Sequence, residues 1–344
     1  MTGGYARHTL SPADLAGLGA GRFSPVLVDT LKRAVASRNI ALLESVRRSS
    51  GPVAVDDLWR RLGSHPGQAL DVLISPQLGA WADDALRHGA GDAGVLLAAL
   101  EREKGPAALD GPRPLRLRFE TGEPLRGHFG LAVAEPADWA GLCREAYRLL
   151  LARHPRVAGA FAELVTTVVP VVAPAPPETF SATSGVAFGA VALSAPGGAA
   201  ELAATFAHEL QHQVLGAAEE IVALTVPGHP GRFAVHWRAG ERDAAATLQG
   251  IFAHVAVMEF HRAEWLAGPL KERPGHAAAF ALWRLATGRA MEQLGRSGAL
   301  TAAGALLARP LSARISAALA EPVPAPAARA AEAEFSSSSA PRRG

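Results

Sequence analysis

The sequence predicts a mainly α fold with a small β component, an α+β chain, on three observations. Helical apolar periodicity runs through residues 11–102, 138–153, the stretch around residues 199–212, and 243–266. Only short alternating or β-branched runs interrupt it. One helical run carries His208-Glu209-Leu210-Gln211-His212, which places two histidines one turn apart on the same face.

Taken in order, Pro12-Ala13-Asp14-Leu15 opens a first helix, residues 25–49 read as a longer amphipathic one, and residues 70–88 as a third segment with Trp81 in its apolar face. These make a helical N-terminal subdomain over residues 1–110, closed by the breaker run Asp110-Gly111-Pro112-Arg113-Pro114. Leu115-Arg116-Leu117-Arg118-Phe119 alternates as a half-buried strand does. Residues 138–153 are helical again, 164–172 form a β-branched buried strand, and a proline-rich loop follows at 174–177.

The runs 181–184 and 186–193 read as strand leading up to the histidine helix, which Ser194 and Pro196 are expected to start. A strand beside such a helix is a place where backbone and hydroxyl groups, among them Ser181, Thr183 and Ser184, could hold a ligand or an extended peptide. Beyond the break at 227–231, residues 243–266 are apolar on all sides (Ile251, Phe252, Val255, Val257, Met258, Phe260), the pattern of a buried helix. Residues 111–320 are thus expected to form the metal-site domain. The Ala/Pro/Ser stretch 321–344 reads as a disordered tail.

Composition narrows the function. Of 344 residues 49% are apolar and 19% charged, as in a globular protein with a substantial core. The 34 basic and 32 acidic residues leave a net charge of +2 without a long basic stripe, which argues against nucleic acid as a partner. Cys143 is the single cysteine and reads as a buried structural thiol. No apolar run approaches the roughly 18 residues of a membrane span, and Met1 to Tyr5 has no apolar signal core. A cytoplasmic protein is expected.

His208 and His212 at i and i+4 can share one metal ion with Glu209 beside its open side, but two histidines call for a third ligand. The longer pattern with glycine at 215 and histidine at 218 is absent, because Leu215 and Ala218 stand there. Glu219 and Glu220 lie about 10 Å further along the axis, out of reach. The third ligand is therefore expected from the second buried helix. His254 leads because a polar ring between apolar neighbours needs a partner, with Glu259 and His261 as alternatives.

The stretch from His208 to Ala217, then Arg232-Phe233-Ala234-Val235-His236-Trp237-Arg238 and Leu248-Gln249-Gly250-Ile251-Phe252-Ala253-His254, resembles a bacterial family of H-E-x-x-H peptide β-hydroxylases that modify ribosomally made peptides. Ser181 to Ser184, Phe188-Gly189, Ser75-Pro76 and Trp81 add to the likeness. The resemblance implies an iron(II) enzyme that uses 2-oxoglutarate and dioxygen to hydroxylate a β-carbon in a precursor peptide. His236, Asp243 and Gln249 stand where the family tends to carry proline, proline and histidine.

On that implication a guanidinium fork suits the distal carboxylate of oxoglutarate, and Arg238 and Arg242 lie just before the helix bearing His254. Ser181 and Thr183 are further candidates for contacting substrate or co-substrate. A rival reading is a zinc(II) peptidase whose two buried helices pair as in gluzincins, with Glu209 as general base and Glu259 as third ligand. A third is a metal-stabilised peptide-binding module without turnover.

Overall fold

The computed structural model describes residues 8–50, 53–64, 66–89, 92–101, 107–109, 114–130, 139–173 and 179–339. The expected α+β class holds at this level: the chain is mainly helical with one small mixed sheet and a two-stranded ribbon. The proline-rich loop at 174–177 and the expected boundary at 110–111 lie outside the described residues.

Helix α1 (Pro12–Gly19) starts on a reciprocal cap, in which Ser11 Oγ accepts from the Asp14 N–H and the Asp14 carboxylate accepts from the Ser11 N–H. It leads into α2 (Pro25–Ser50), α3 (Val53–Ser64), α4 (Ala69–Leu73), α5 (Pro76–His88) and α6 (Ala93–Glu101). The single segment expected over 70–88 is two helices. Pro76 has no N–H to continue a helix and holds Ser75 extended at φ −64° and ψ 137°, where its hydroxyl accepts from the Leu78 N–H.

These N-terminal helices divide between two cores. Leu15, Leu18, Leu27, Leu31 and Val35 pack into the main core, whereas Leu43, Val46, Leu58, Leu78, Trp81 and Leu96 form a second cluster.

Strands β1 (Ala107–Leu109) and β2 (Leu115–Phe119) pair antiparallel. After α7 (Leu125–Phe129), α8 (Trp139–Arg153) and α9 (Pro155–Leu164) come β3 (Thr167–Pro170), β4 (Ser181–Thr183) and β5 (Ala190–Leu193). The sheet order is β1-β2-β3-β5-β4, so β4 is an edge strand, antiparallel to β5. Within the expected run 186–193, only the last four residues are strand; a turn precedes them, with Gly189 at φ +89°, a conformation that favours glycine.

That turn anchors α10 (Ala199–Glu219): the Gly189 N–H donates to Gln213 Oε1 at 3.0 Å and Gln213 Nε2 donates to the Ala190 carbonyl at 2.9 Å. The Phe161 and Phe206 rings stack at 4.3 Å between α9 and α10. The expected helix start at Ser194 and Pro196 is corrected. The helix begins after Gly198 without a side-chain cap, and Ser194 Oγ instead accepts from the Phe180 N–H, tying β4 to the end of β5.

A ribbon of β6 (Phe233–Ala234) and β7 (Glu241–Arg242) leads into α11 (Ala244–Ala267), which Asp243 caps through the Ala246 N–H. Helix α10 packs along α11, α11 along α12 (Arg273–Arg296), and α13 (Ala302–Ala320) against both α12 and α1.

The expected disordered tail is corrected over its described part, since residues 325–339 form α14 (Ala325–Ser339) on α12. Alanine is the strongest helix former, Pro326 sits in the first turn where its missing N–H costs nothing, and Ala327 and Ala331 share the face that meets Ala277, Ala281 and Leu282. Phe335 adds a stack on His236 with centroids 5.5 Å apart. Deleting residues 322–344 is expected to lower the melting temperature by about 2–6 °C. An unchanged thermal transition would mean that α14 adds no stability.

Candidate metal centre

Helices α10 and α11 lie side by side, with apolar residues on one side of each contact line and imidazoles on the other. Phe206, Leu210 and Val214 share a core with Ile251, Phe252 and Val255, and each such fully buried side chain contributes about 1.5–3 kcal/mol. That packing presents His208 and His212 from one helix and His254 from the other to a common cavity of about 870 Å³.

The Nε2 atoms of His208 and His212 are 3.2 Å apart. Two nitrogens bound to one ion at about 2.1 Å, with angles of about 90–110°, are separated by about 3.0–3.4 Å. The pair therefore matches two neighbouring positions of one coordination sphere. The His254 ring meets His208 edge on, with centroids 4.7 Å apart. Its Nδ1 donates to the Gly250 carbonyl at 2.8 Å, which leaves the Nε2 lone pair available. Among the described residues no three His, Cys, Asp or Glu side chains are gathered as a preformed metal group. The His208 and His212 nitrogens are close enough to share one ion, and His254, the expected third ligand, stands beside them.

Each imidazole is oriented by its surroundings. His212 Nδ1 donates to Gln249 Oε1 at 3.2 Å, and Gln249 Nε2 donates to Glu219 Oε2 at 2.7 Å, which fixes the tautomer that turns the His212 Nε2 lone pair inward. His254 is held between Trp237 and Trp283, whose centroids lie 4.5 and 4.4 Å from its own. Position 250 must be glycine for this clamp, because a Cβ there would sit 2.6 Å from Trp237 Nε1. Burial, with help from the neighbouring imidazoles, holds the His208 pKa well below the ordinary histidine value, and burial holds that of His254 down to about 3. Neutral rings are what a metal ion requires.

Glu209 is 2% exposed. Its Oε1 accepts from Ser181 Oγ at 2.6 Å and lies 3.9 Å from His208 Nε2, and Oε2 is buried without a partner. Burial pushes its pKa above the usual carboxylate range. An orphaned carboxylate oxygen costs about 1–3 kcal/mol or more, an expense expected at a site that takes a ligand. The Ser181 hydroxyl thus serves Glu209, and Ser181 and Thr183 both line the cavity.

Arg238 and Arg242 line the same cavity. Arg238 is exposed and Arg242 half-buried, and among the described residues neither has an ion-pair partner. The donor set of two preformed imidazoles, a third adjacent one and free guanidinium groups fits one divalent ion with a carboxylate ligand.

The other two candidate ligands are elsewhere. Glu259, five residues past His254 and so turned well away from it, is clasped by Arg314 from α13 at 2.7 and 2.6 Å. His261 is about 10 Å further down the helix, where its Nδ1 meets His276 Nδ1 at 2.9 Å near Glu264 and Arg153. Sequence reading missed Trp283, Gly250 and Glu219 as supports of the site. Only Gly250, four residues before His254, carried a signal, since i to i+4 spacing lets its carbonyl face that ring.

No family model matches the chain, and no curated protein matches it.

Burial and the nearby His276 hold the His261 pKa down to about 4, against the raising influence of Glu264. The unfolded chain takes up this proton near 6.5, so the contribution is fully present above about pH 6.5 and is lost as pH falls toward 4. Between pH 7 and pH 5 His261 alone is expected to remove about 2 kcal/mol of unfolding free energy, and His261→Leu to flatten that slope by the same amount. Parallel pH slopes in denaturant titrations of the two proteins would contradict it.

Proposed function

We propose that this protein is an iron(II)- and 2-oxoglutarate-dependent hydroxylase acting on the β-carbon of a residue in a ribosomally made precursor peptide. The observation that carries the reading is the His208–His212 nitrogen pair at 3.2 Å with His254 alongside and Arg242 on the same cavity wall. The resemblance of the chain around these residues to the peptide β-hydroxylases supports it.

When bound, iron with oxoglutarate and dioxygen would supply the oxidation, one oxygen atom entering the C–H bond as hydroxyl and the other leaving in succinate as carbon dioxide departs. The chain's own residues do the rest. His208, His212 and His254 would hold the ion as neutral donors, leaving its remaining positions open. Arg242, half-buried, would take the distal carboxylate in its fork, with Arg238 further out reinforcing the field. Glu209 would orient a ligand through its unpaired Oε2 rather than act as a hydrolytic base. The two tryptophans keep the third imidazole dry on both faces.

Anaerobic addition of iron(II), followed by oxoglutarate, air and measurement of succinate, tests the reaction class. In the same assay Arg242→Ala is expected to raise the oxoglutarate requirement by roughly 10- to 100-fold with metal content unchanged, Arg242→Lys to recover part of it, and Arg238→Ala to have the smaller effect. No oxoglutarate turnover with zinc(II) bound and peptide hydrolysed would replace this reading by a peptidase.

A further inference from the structure

We infer that the open edge of β4 is the docking rail for an extended segment of the substrate polypeptide, which it holds by main-chain hydrogen bonding beside the histidine pair. The inference rests on the proposed action on a peptide and adds the mode of recognition to it.

The register fixes which groups face outward. The Ser194 N–H donates to the Phe180 carbonyl at 2.8 Å and the Phe180 N–H to Ser194 Oγ at 2.7 Å, so the main chain of Phe180 turns toward β5. Main-chain direction alternates along a strand, and Ser181 pairs with Leu193, Ala182 with Ala192 and Thr183 with Val191. Ala182 therefore turns its N–H and C=O inward like Phe180. Ser181 and Thr183 turn theirs away from the sheet, and among the described residues these groups have no backbone partner.

The cavity runs along that edge. Ser181, Ala182, Thr183 and Gly185 all line it, so it follows the strand along its length. The Ser181 side chain is already spent on Glu209, whose Oε1 is 3.9 Å from His208 Nε2. This wall offers a ligand the outward peptide groups of Ser181 and Thr183, two residues apart, with the Thr183 hydroxyl beside them. Unpaired strand edges recruit extended peptides. The volume of about 870 Å³ leaves room for a peptide as well as a dicarboxylate.

Main-chain pairing tolerates many sequences, and it has a periodic signature. A ligand held this way depends on every second N–H of its own backbone. The test uses the full chain, iron-loaded and anaerobic without oxoglutarate, so that binding is read apart from turnover. Peptides are selected from a display library of randomised decapeptides, and the tightest is remade as a blocked peptide and N-methylated at one position at a time.

Alternating losses of about 3- to 10-fold or more at every second position are expected. Thr183→Pro, which deletes one outward N–H, should weaken the parent peptide by a similar factor relative to Thr183→Ala, which deletes only the hydroxyl. Failure to recover a binder, a scan without period two, or full affinity in a folded Thr183→Pro protein overturns the inference. If Thr183→Pro does not fold, the scan decides. Loss of oxoglutarate turnover with a periodic scan intact would count against the proposed reaction but not against the rail.

Discussion

The packing of α10 on α11 is the constraint on which the site depends. Neither helix alone carries more than two imidazoles at a usable spacing. Their apolar faces, Phe206-Leu210-Val214 against Ile251-Phe252-Val255, bring His254 next to the turn that presents His208 and His212. The sheet enters through the same helix: Gln213 locks α10 to the turn before β5, and β5 carries β4 along the cavity. Separating the two helices would scatter ligands, edge strand and arginines together.

The same burial that stabilises the pair makes the site electrostatically tense. A carboxylate with one oxygen unpartnered and a half-buried guanidinium group that has no ion-pair partner among the described residues are each unfavourable in a closed core. Gathered on one cavity, they are groups that a cation and an anionic ligand would satisfy together. Other carboxylates find partners within the chain: Glu259 lies in the fork of Arg314, and the buried Glu264 accepts from Arg153 at 2.6 Å. Among the carboxylates of the described residues, only Glu209 keeps a buried oxygen without a partner.

The two long helices were legible in the sequence because their signal is local, an i to i+4 histidine pair in an apolar run for α10 and apolar residues all round for α11. The short strands at 115–119 and 181–183 were legible for similar reasons. Which residue faces the histidine pair was not, because helical spacing orders Glu259, His261 and His254 around one axis without saying where the neighbouring helix lies. The pairing of Gln249 with His212 is likewise a contact between helices that no spacing encodes. Composition misled at the C-terminus. Alanine, proline and serine suggested an unstructured tail, whereas small residues on one face are what lets α14 lie close on α12.

The central claim is that His254 joins His208 and His212 on one metal ion. X-ray absorption of the iron(II)-loaded, anaerobic protein measures it most directly, because imidazole rings give outer-shell scattering that counts them. Three imidazoles per iron in the unaltered protein, falling to two in His254→Ala, is the predicted result. Two imidazoles in both proteins would contradict it and would leave His254 as a clamped ring beside a two-histidine site.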